Sequence, residues 1–132
     1  MTRTSYSSGG PWESTIGYCR AVRVGDTIAV SGSTSAQPDG TIAGRGDAYA
    51  QAKVALATIR QALEGLGASM SHVVRTRMFV TDMDDSEAVG RAHGEEFAVI
   101  RPAATMVQVS RLIHPEMLVE IEADAIVGNR TS

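Results

Sequence analysis

Val119-Glu120-Ile121-Glu122-Ala123-Asp124-Ala125-Ile126-Val127 alternates almost without a break. Successive side chains of a strand point to opposite sides, so Val119, Ile121, Ala123, Ala125 and Val127 share one face. Glu120, Glu122 and Asp124 share the other. The apolar row is suited to packing under helices, whereas the acidic row requires water or cationic partners. Residues 72–81 give the complementary pattern. There Val74, Thr76, Met78 and Val80 fall on one face, and Arg75, Arg77 and Phe79 on the other. Two such strands predict one sheet covered by helices on a single side. The charged side is then either solvated or packed in a polar oligomer interface, and the pattern alone favours solvent.

Upstream, Val22-Arg23-Val24-Gly25-Asp26-Thr27-Ile28-Ala29-Val30 predicts two short strands turning at Gly25-Asp26. Pro38-Asp39-Gly40 marks a loop over residues 33–46. From Asp47 the period changes: Ala52, Ala55, Leu56, Ile59, Leu63 and Leu66 form one stripe of a long helix. Asp47 fits its N-cap and Gly67 the position just beyond its end. Asp84, three residues before Glu87, suggests a loose capping box opening a second helix to about Val99. Residues 104–109 and 117–127 supply the last strands. The expected order is β-β-α-β-α-β-β, an α+β fold in one domain over residues 1–132, with residues 1–16 as an N-terminal arm or loop.

Composition narrows the function. Fifteen acidic residues against twelve basic ones give a net charge of −3, and the basic residues, all but Lys53 arginine, form no run. That balance, with few aromatics, argues against nucleic-acid binding. One cysteine, Cys19, excludes an intrachain disulfide, and a buried, inert thiol is expected there. No membrane span or signal segment is visible, so a cytoplasmic location is expected. His72, His93 and His114 lie far apart without metal-ligand spacing, so no metal is expected.

Several short segments, in order, resemble the Rid superfamily, the YjgF-like family of enamine and imine deaminases. They are Gly17-Tyr18-Cys19-Arg20-Ala21-Val22, Val30-Ser31-Gly32, Gly67-Ala68-Ser69 and Val73-Val74-Arg75-Thr76-Arg77-Met78-Phe79-Val80-Thr81-Asp82-Met83. Arg101-Pro102-Ala103-Ala104-Thr105-Met106-Val107-Gln108-Val109 and Val119-Glu120-Ile121-Glu122-Ala123 complete the set. The resemblance implies a chorismate-mutase-like fold and a homotrimer with a central barrel and clefts between subunits. Its activity is hydrolysis of reactive imines or enamines to keto acid and ammonia, without metal or organic cofactor. On this reading the charged face becomes an interface rather than a solvated surface.

The family's site carries over in part. Tyr18 matches its cleft tyrosine, Ser31 its cleft serine, and Glu120 the glutamate that positions or activates water. The family's carboxylate-gripping arginine is replaced by Ala104, its neighbouring cysteine by Met106, and a second-helix asparagine by Gly90. Alanine cannot make the bidentate contact of a guanidinium. The chain thus resembles an arginine-less branch, for which 2-aminoacrylate deamination is not expected.

Each candidate also has a plainer reading. Glu120 either orients a water in a cleft or forms an interface salt bridge with Arg75 or Arg77. Tyr18 either contacts ligand or sits at an element edge. Arg20, two residues on, either replaces the missing clamp or is a surface or interface arginine, its parity leading to Val22 and Val24 and hence toward the core. Trp12 either lids the cleft or anchors the arm. The functional expectation is a trimer that acts on a small imine, enamine or keto acid. The alternative is a non-catalytic ligand-binding or chaperone-like trimer.

Overall fold

A computed structural model describes residues 1–128 of the chain. Six strands run β1 (Arg3–Tyr6), β2 (Ala21–Val24), β3 (Thr27–Ser33), β4 (Val73–Val80), β5 (Ala103–Gln108) and β6 (Val119–Ile126). Three α-helices interrupt them: α1 (Glu13–Ile16), α2 (Ala48–Gly65) and α3 (Ser86–Phe97). All six strands form one sheet in the order β1-β2-β3-β6-β4-β5. Only the β4–β5 pair is parallel, as its crossover through α3 requires.

The alternation of β6 does decide the fold. Val119, Ile121, Ala123 and Ala125 are buried, and with the α2 stripe from Ala52 to Leu63 they form the core. Val89, Ala92 and Phe97 of α3 join the same cluster, so both long helices cover one face of the sheet. Asp47 caps α2, its side chain accepting the Ala50 N–H at 3.0 Å. Gly67, just past the helix end, has φ +80°, a left-handed conformation that favours glycine. Gly25 likewise turns the β2–β3 hairpin with φ +59°.

Four expectations are corrected. The N-terminal arm is not a loop: β1 pairs antiparallel with β2, and Tyr6 lies so close to Gly65 that a Cβ there would come within 2.5 Å of its ring. Val22 and Val24 do not face the helical core; Ala21 does, and Arg23 beside it donates to the Leu66 carbonyl at 2.7 Å, closing the end of α2. In β4 a register shift between Val73 and Arg75 turns Val73, rather than Val74, into the core. The second long helix begins at Ser86, after a 3-10 turn whose Asp82 carboxylate accepts from Asp84 N–H, and Asp85 at its N-cap makes no side-chain bond.

The uncovered face carries the predicted charges. Arg77 reaches Glu122 at 3.1 Å and Asp124 at 3.3 Å, and Arg75 lies 3.9 Å from Asp124. Register explains the choice of partners: Arg75 stands opposite Asp124, Arg77 opposite Glu122, but Phe79 opposite Glu120.

Candidate functional site

A second irregularity, in β3, builds the site. Val30 pairs with Ala123 and Ser33 with Ile121, so Ser31 and Gly32 bulge out of the ladder. Bulges re-aim side chains and free backbone groups. Here the freed Ser31 N–H donates to the Arg20 carbonyl at 2.9 Å, and the Gly32 carbonyl turns to the Arg20 guanidinium. Gly32 is also a steric requirement. A Cβ at this position would overlap the Glu120 carboxylate and lie 2.7 Å from its Cδ.

Arg20 sits just before β2 and is only 7% exposed. Its Nη1 donates to Gly32 O at 2.5 Å and Ser31 Oγ at 2.9 Å, and its Nε to Ser8 Oγ at 3.2 Å. Its Nη2 has looser neighbours, Tyr18 Oη at 3.5 Å and Glu13 Oε2 at 3.9 Å. One guanidinium thus ties the segment of residues 8–18 to the β3 bulge. Glu13, 5% exposed, completes the knot: its Oε2 accepts from Ser8 Oγ at 2.7 Å and Gly10 N at 2.9 Å. Burial pushes the Glu13 carboxyl up, but the Ser8, Gly10 and Ser7 hydrogen bonds and the Arg20 charge outweigh it and hold the group below its ordinary range.

These elements enclose a cavity of about 520 Å³. Trp12, Tyr18, Arg20, Ser31 and Glu120, five of the residues singled out from sequence, all line it. Met117 and Ile113 give it an apolar wall, with Thr34, Gln37, Thr58 and Gln61 among its polar groups. Gln51, fully buried, positions the approach to β6 by bonding both Glu116 O and Leu118 N.

Glu120 differs from every other acid of the sheet. Its salt bridge to Arg75 or Arg77 is not formed, because those arginines hold Glu122 and Asp124 instead. Burial raises its pKa, the nearby Arg20 charge pulls it back, and Glu122 adds to the rise. Ser31, in contrast, is engaged at both ends: its Oγ accepts from Arg20 Nη1 and donates to the Arg20 carbonyl at 3.0 Å. It positions the guanidinium rather than offering a free hydroxyl proton. Arg20, expected at a surface or interface on the plainer reading, is buried in the cavity wall. Cys19 is half-buried rather than buried, with Sγ 3.4 Å from Ala21 O.

Ala104 and Met106 lie elsewhere. They belong to β5 at the far edge of the sheet, with β4 and β6 between them and β3, and neither lines this cavity. Gly90 is exposed on α3. Within one chain these positions do not meet Glu120. Glu13 and Gly32 are the residues that sequence reasoning left without a role. The signal for Gly32 was the Ser31-Gly32 pair inside a β-branched strand, where glycine marks a bulge or a close approach.

Comparison with known proteins agrees with this architecture. A family model described as endoribonuclease L-PSP matches residues 11–127. An uncharacterized protein of Streptomyces coelicolor is 40% identical, over 92% of this chain and 90% of its own length. The 3-aminoacrylate deaminase RutC of Acinetobacter baylyi is 33% identical, over 83% of this chain and 86% of its own. The crystal structure of a YjgF/YER057c/UK114 family member from Mycobacterium tuberculosis matches with a TM-score of 0.88 at 46% identity, covering 96% of this chain and 100% of that one. The agreement runs from the cavity-lining Pro11 through both long helices to the end of β6, and on it the chain belongs to the endoribonuclease L-PSP family, also called the YjgF or Rid family.

Proposed function

We propose that this protein hydrolyses the carbon–nitrogen bond of a small imine or enamine in the cavity lined by Glu120, working as a homotrimer. The observation that carries the reading is the Glu120 carboxylate. Among the described residues no hydrogen-bond donor reaches it, and burial holds its pKa above the usual range. A partly desolvated, unengaged carboxylate is a suitable base for water. The relative named as a 3-aminoacrylate deaminase supports the reaction class. The exposed β5 and the charged face around Arg77 support the trimer, since both are surfaces that a symmetric partner would cover.

In the reaction the substrate enters as the protonated imine, the form an enamine also reaches by tautomerising. Glu120 accepts a proton from water as the oxygen attacks the carbon, and the carbon–nitrogen π pair moves to nitrogen to give a neutral carbinolamine. The carboxylic acid returns that proton to nitrogen. The carboxylate then takes the carbinol hydroxyl proton as the carbon–nitrogen bond breaks, so that a carbonyl compound leaves and ammonia carries the last proton off from Glu120 as ammonium. Tyr18 positions the substrate, while Ser31 fixes Arg20 beneath it. The test is ammonia release from imines generated in place by an oxidase. Wild type accelerates release over the uncatalysed rate, and Glu120→Gln loses about 10²-fold or more of that acceleration. An unchanged rate in Glu120→Gln would remove Glu120 from the chemistry. No acceleration by wild type, with ligand binding retained, would favour the non-catalytic trimer.

A further inference from the structure

Resting on the reading of this cavity as a ligand site, we infer that it selects a small ligand whose polar end is neutral or positively charged, and that it rejects a free carboxylate. Among the described residues Arg20 is the only cationic side chain in the cavity lining, and most of its donors are already committed. Each of its three nitrogens has a protein acceptor within 3.5 Å: Ser8 Oγ for Nε, Gly32 O and Ser31 Oγ for Nη1, and Tyr18 Oη for Nη2. Glu13, buried behind it at 3.9 Å, supplies a counter-charge that a ligand would otherwise provide. An incoming carboxylate would find no free bidentate edge on the guanidinium, with Nε and Nη1 bonded and only Nη2 loosely held, and it would meet the Glu120 carboxylate in the same cavity. Like charges in a partly desolvated site repel strongly.

What the cavity offers instead is one acceptor and one donor. Glu120 has no donor from the described residues and so asks for an N–H, best carried by an amine or iminium. The Tyr18 hydroxyl accepts weakly from Arg20 and keeps its own proton to give to a ligand oxygen or nitrogen. Trp12, Ile113 and Met117 supply a wall for an apolar body.

Trp12 is the sole tryptophan and lines the cavity, so its fluorescence in the full-length protein reports occupancy. Three probes of one shape, benzylamine, benzyl alcohol and benzoate, are titrated at neutral pH. Benzylamine is expected to bind at least about ten-fold more tightly than benzoate, with the alcohol between. Glu120→Gln brings benzylamine down to the level of the alcohol. Glu13→Gln, which leaves Arg20 without its counter-charge, raises benzoate affinity several-fold, a change that simple loss of folding does not produce. Benzoate binding as tightly as benzylamine in wild type would overturn the inference and make Arg20 a carboxylate clamp. The two readings fail separately. Glu120-dependent hydrolysis that prefers carboxylate-bearing imines would overturn the selectivity while sparing the reaction. A charge preference for benzylamine without hydrolysis of any imine would do the reverse, and no response to any probe would overturn both.

Discussion

Glu120 and Glu122 lie two residues apart on the same face of β6, yet they inhabit different surroundings. Glu122 stands opposite Arg77 and pairs with it at 3.1 Å. Glu120 stands opposite Phe79, and its neighbours are the β3 bulge, Arg20 and the cavity. Periodicity treats the two residues as equivalent. Register makes one a structural ion pair and the other an unengaged carboxylate in a pocket. A strand face is therefore not a single environment, and its chemistry is set by the partner strand at each rung.

The largest expected effect comes from closing the gap that lets Glu120 into the cavity. Gly32→Val places branched carbon where the Glu120 carboxylate lies. Imine hydrolysis should fall at least about 10²-fold, as for loss of the base itself, while circular dichroism shows the sheet retained. A variant with wild-type turnover would mean that Glu120 acts from another position, and the contrast with Glu122 would lose its functional meaning.

The second expectation concerns the other side of the comparison. Arg77→Ala leaves Glu122 without its cation and Asp124 with Arg75 alone, at 3.9 Å. In the single chain these groups are substantially exposed, and such pairs contribute only about 0–1 kcal/mol. If the face is covered in a trimer, removing the cation costs several-fold more. Light scattering should show a smaller species, and the melting temperature should drop by roughly 10 °C or more. A trimer of unchanged mass and stability would mean that the face is solvated, as the pattern alone suggested. Glu120→Gln should leave the mass unchanged and cause no such fall in melting temperature, because no ion pair is broken.

How much of this was readable in the sequence depends on what each feature rests on. β6 and α2 were legible because burial on one face imposes a period of two or of about 3.6 over many residues. β1 was not. Its four residues, Arg3-Thr4-Ser5-Tyr6, are polar and mostly exposed, and they become a strand only through backbone pairing with β2. α1 is a single turn, too short for any period. Ser31, Tyr18 and Glu120 reached the candidate site through a resemblance, whereas their shared cavity depends on the β3 bulge, which slips the register by a residue that no alternation rule anticipates. Arg20 was weighed as a replacement clamp against a surface or interface arginine, on a parity that leads to Val22 and Val24. Its partners, Ser8, Glu13 and the Gly32 carbonyl, come from three separate places in the chain. That the arginines of β4 and the acids of β6 share one face needed only alternation, so it was anticipated, but the ion pair expected there was Glu120 with Arg75 or Arg77, and register gives Arg77 to Glu122 instead. The lack of a partner for Glu120 needed the register.

The smallest effect is a pH dependence with opposite signs at two carboxylates. Burial raises Glu120 above its ordinary 4.5, with Arg20 opposing and Glu122 reinforcing the shift. Between 4.5 and the raised folded value the native chain holds a proton that the unfolded chain has released. The stabilisation from protonated Glu120 is therefore complete below about 4.5 and is lost as pH climbs through the folded value. Glu13 runs the other way. Burial opposes its ionisation, but the hydrogen bonds from Ser8, Gly10 and Ser7 and the Arg20 charge win, so its folded value lies below 4.5. Its contribution is present above 4.5 and is lost as pH falls through that lower value. Melting curves of wild type, Glu120→Gln and Glu13→Gln across this range separate the two. Relative to wild type, Glu120→Gln should gain stability as pH rises from 4.5 toward neutrality, by on the order of a few degrees. Glu13→Gln should be the weaker protein at neutral pH and close the gap on acidification. If Glu120→Gln instead loses ground as pH rises, Glu120 is paired in the assembled protein as Glu122 is here, and the distinction between the two residues ends at the single chain.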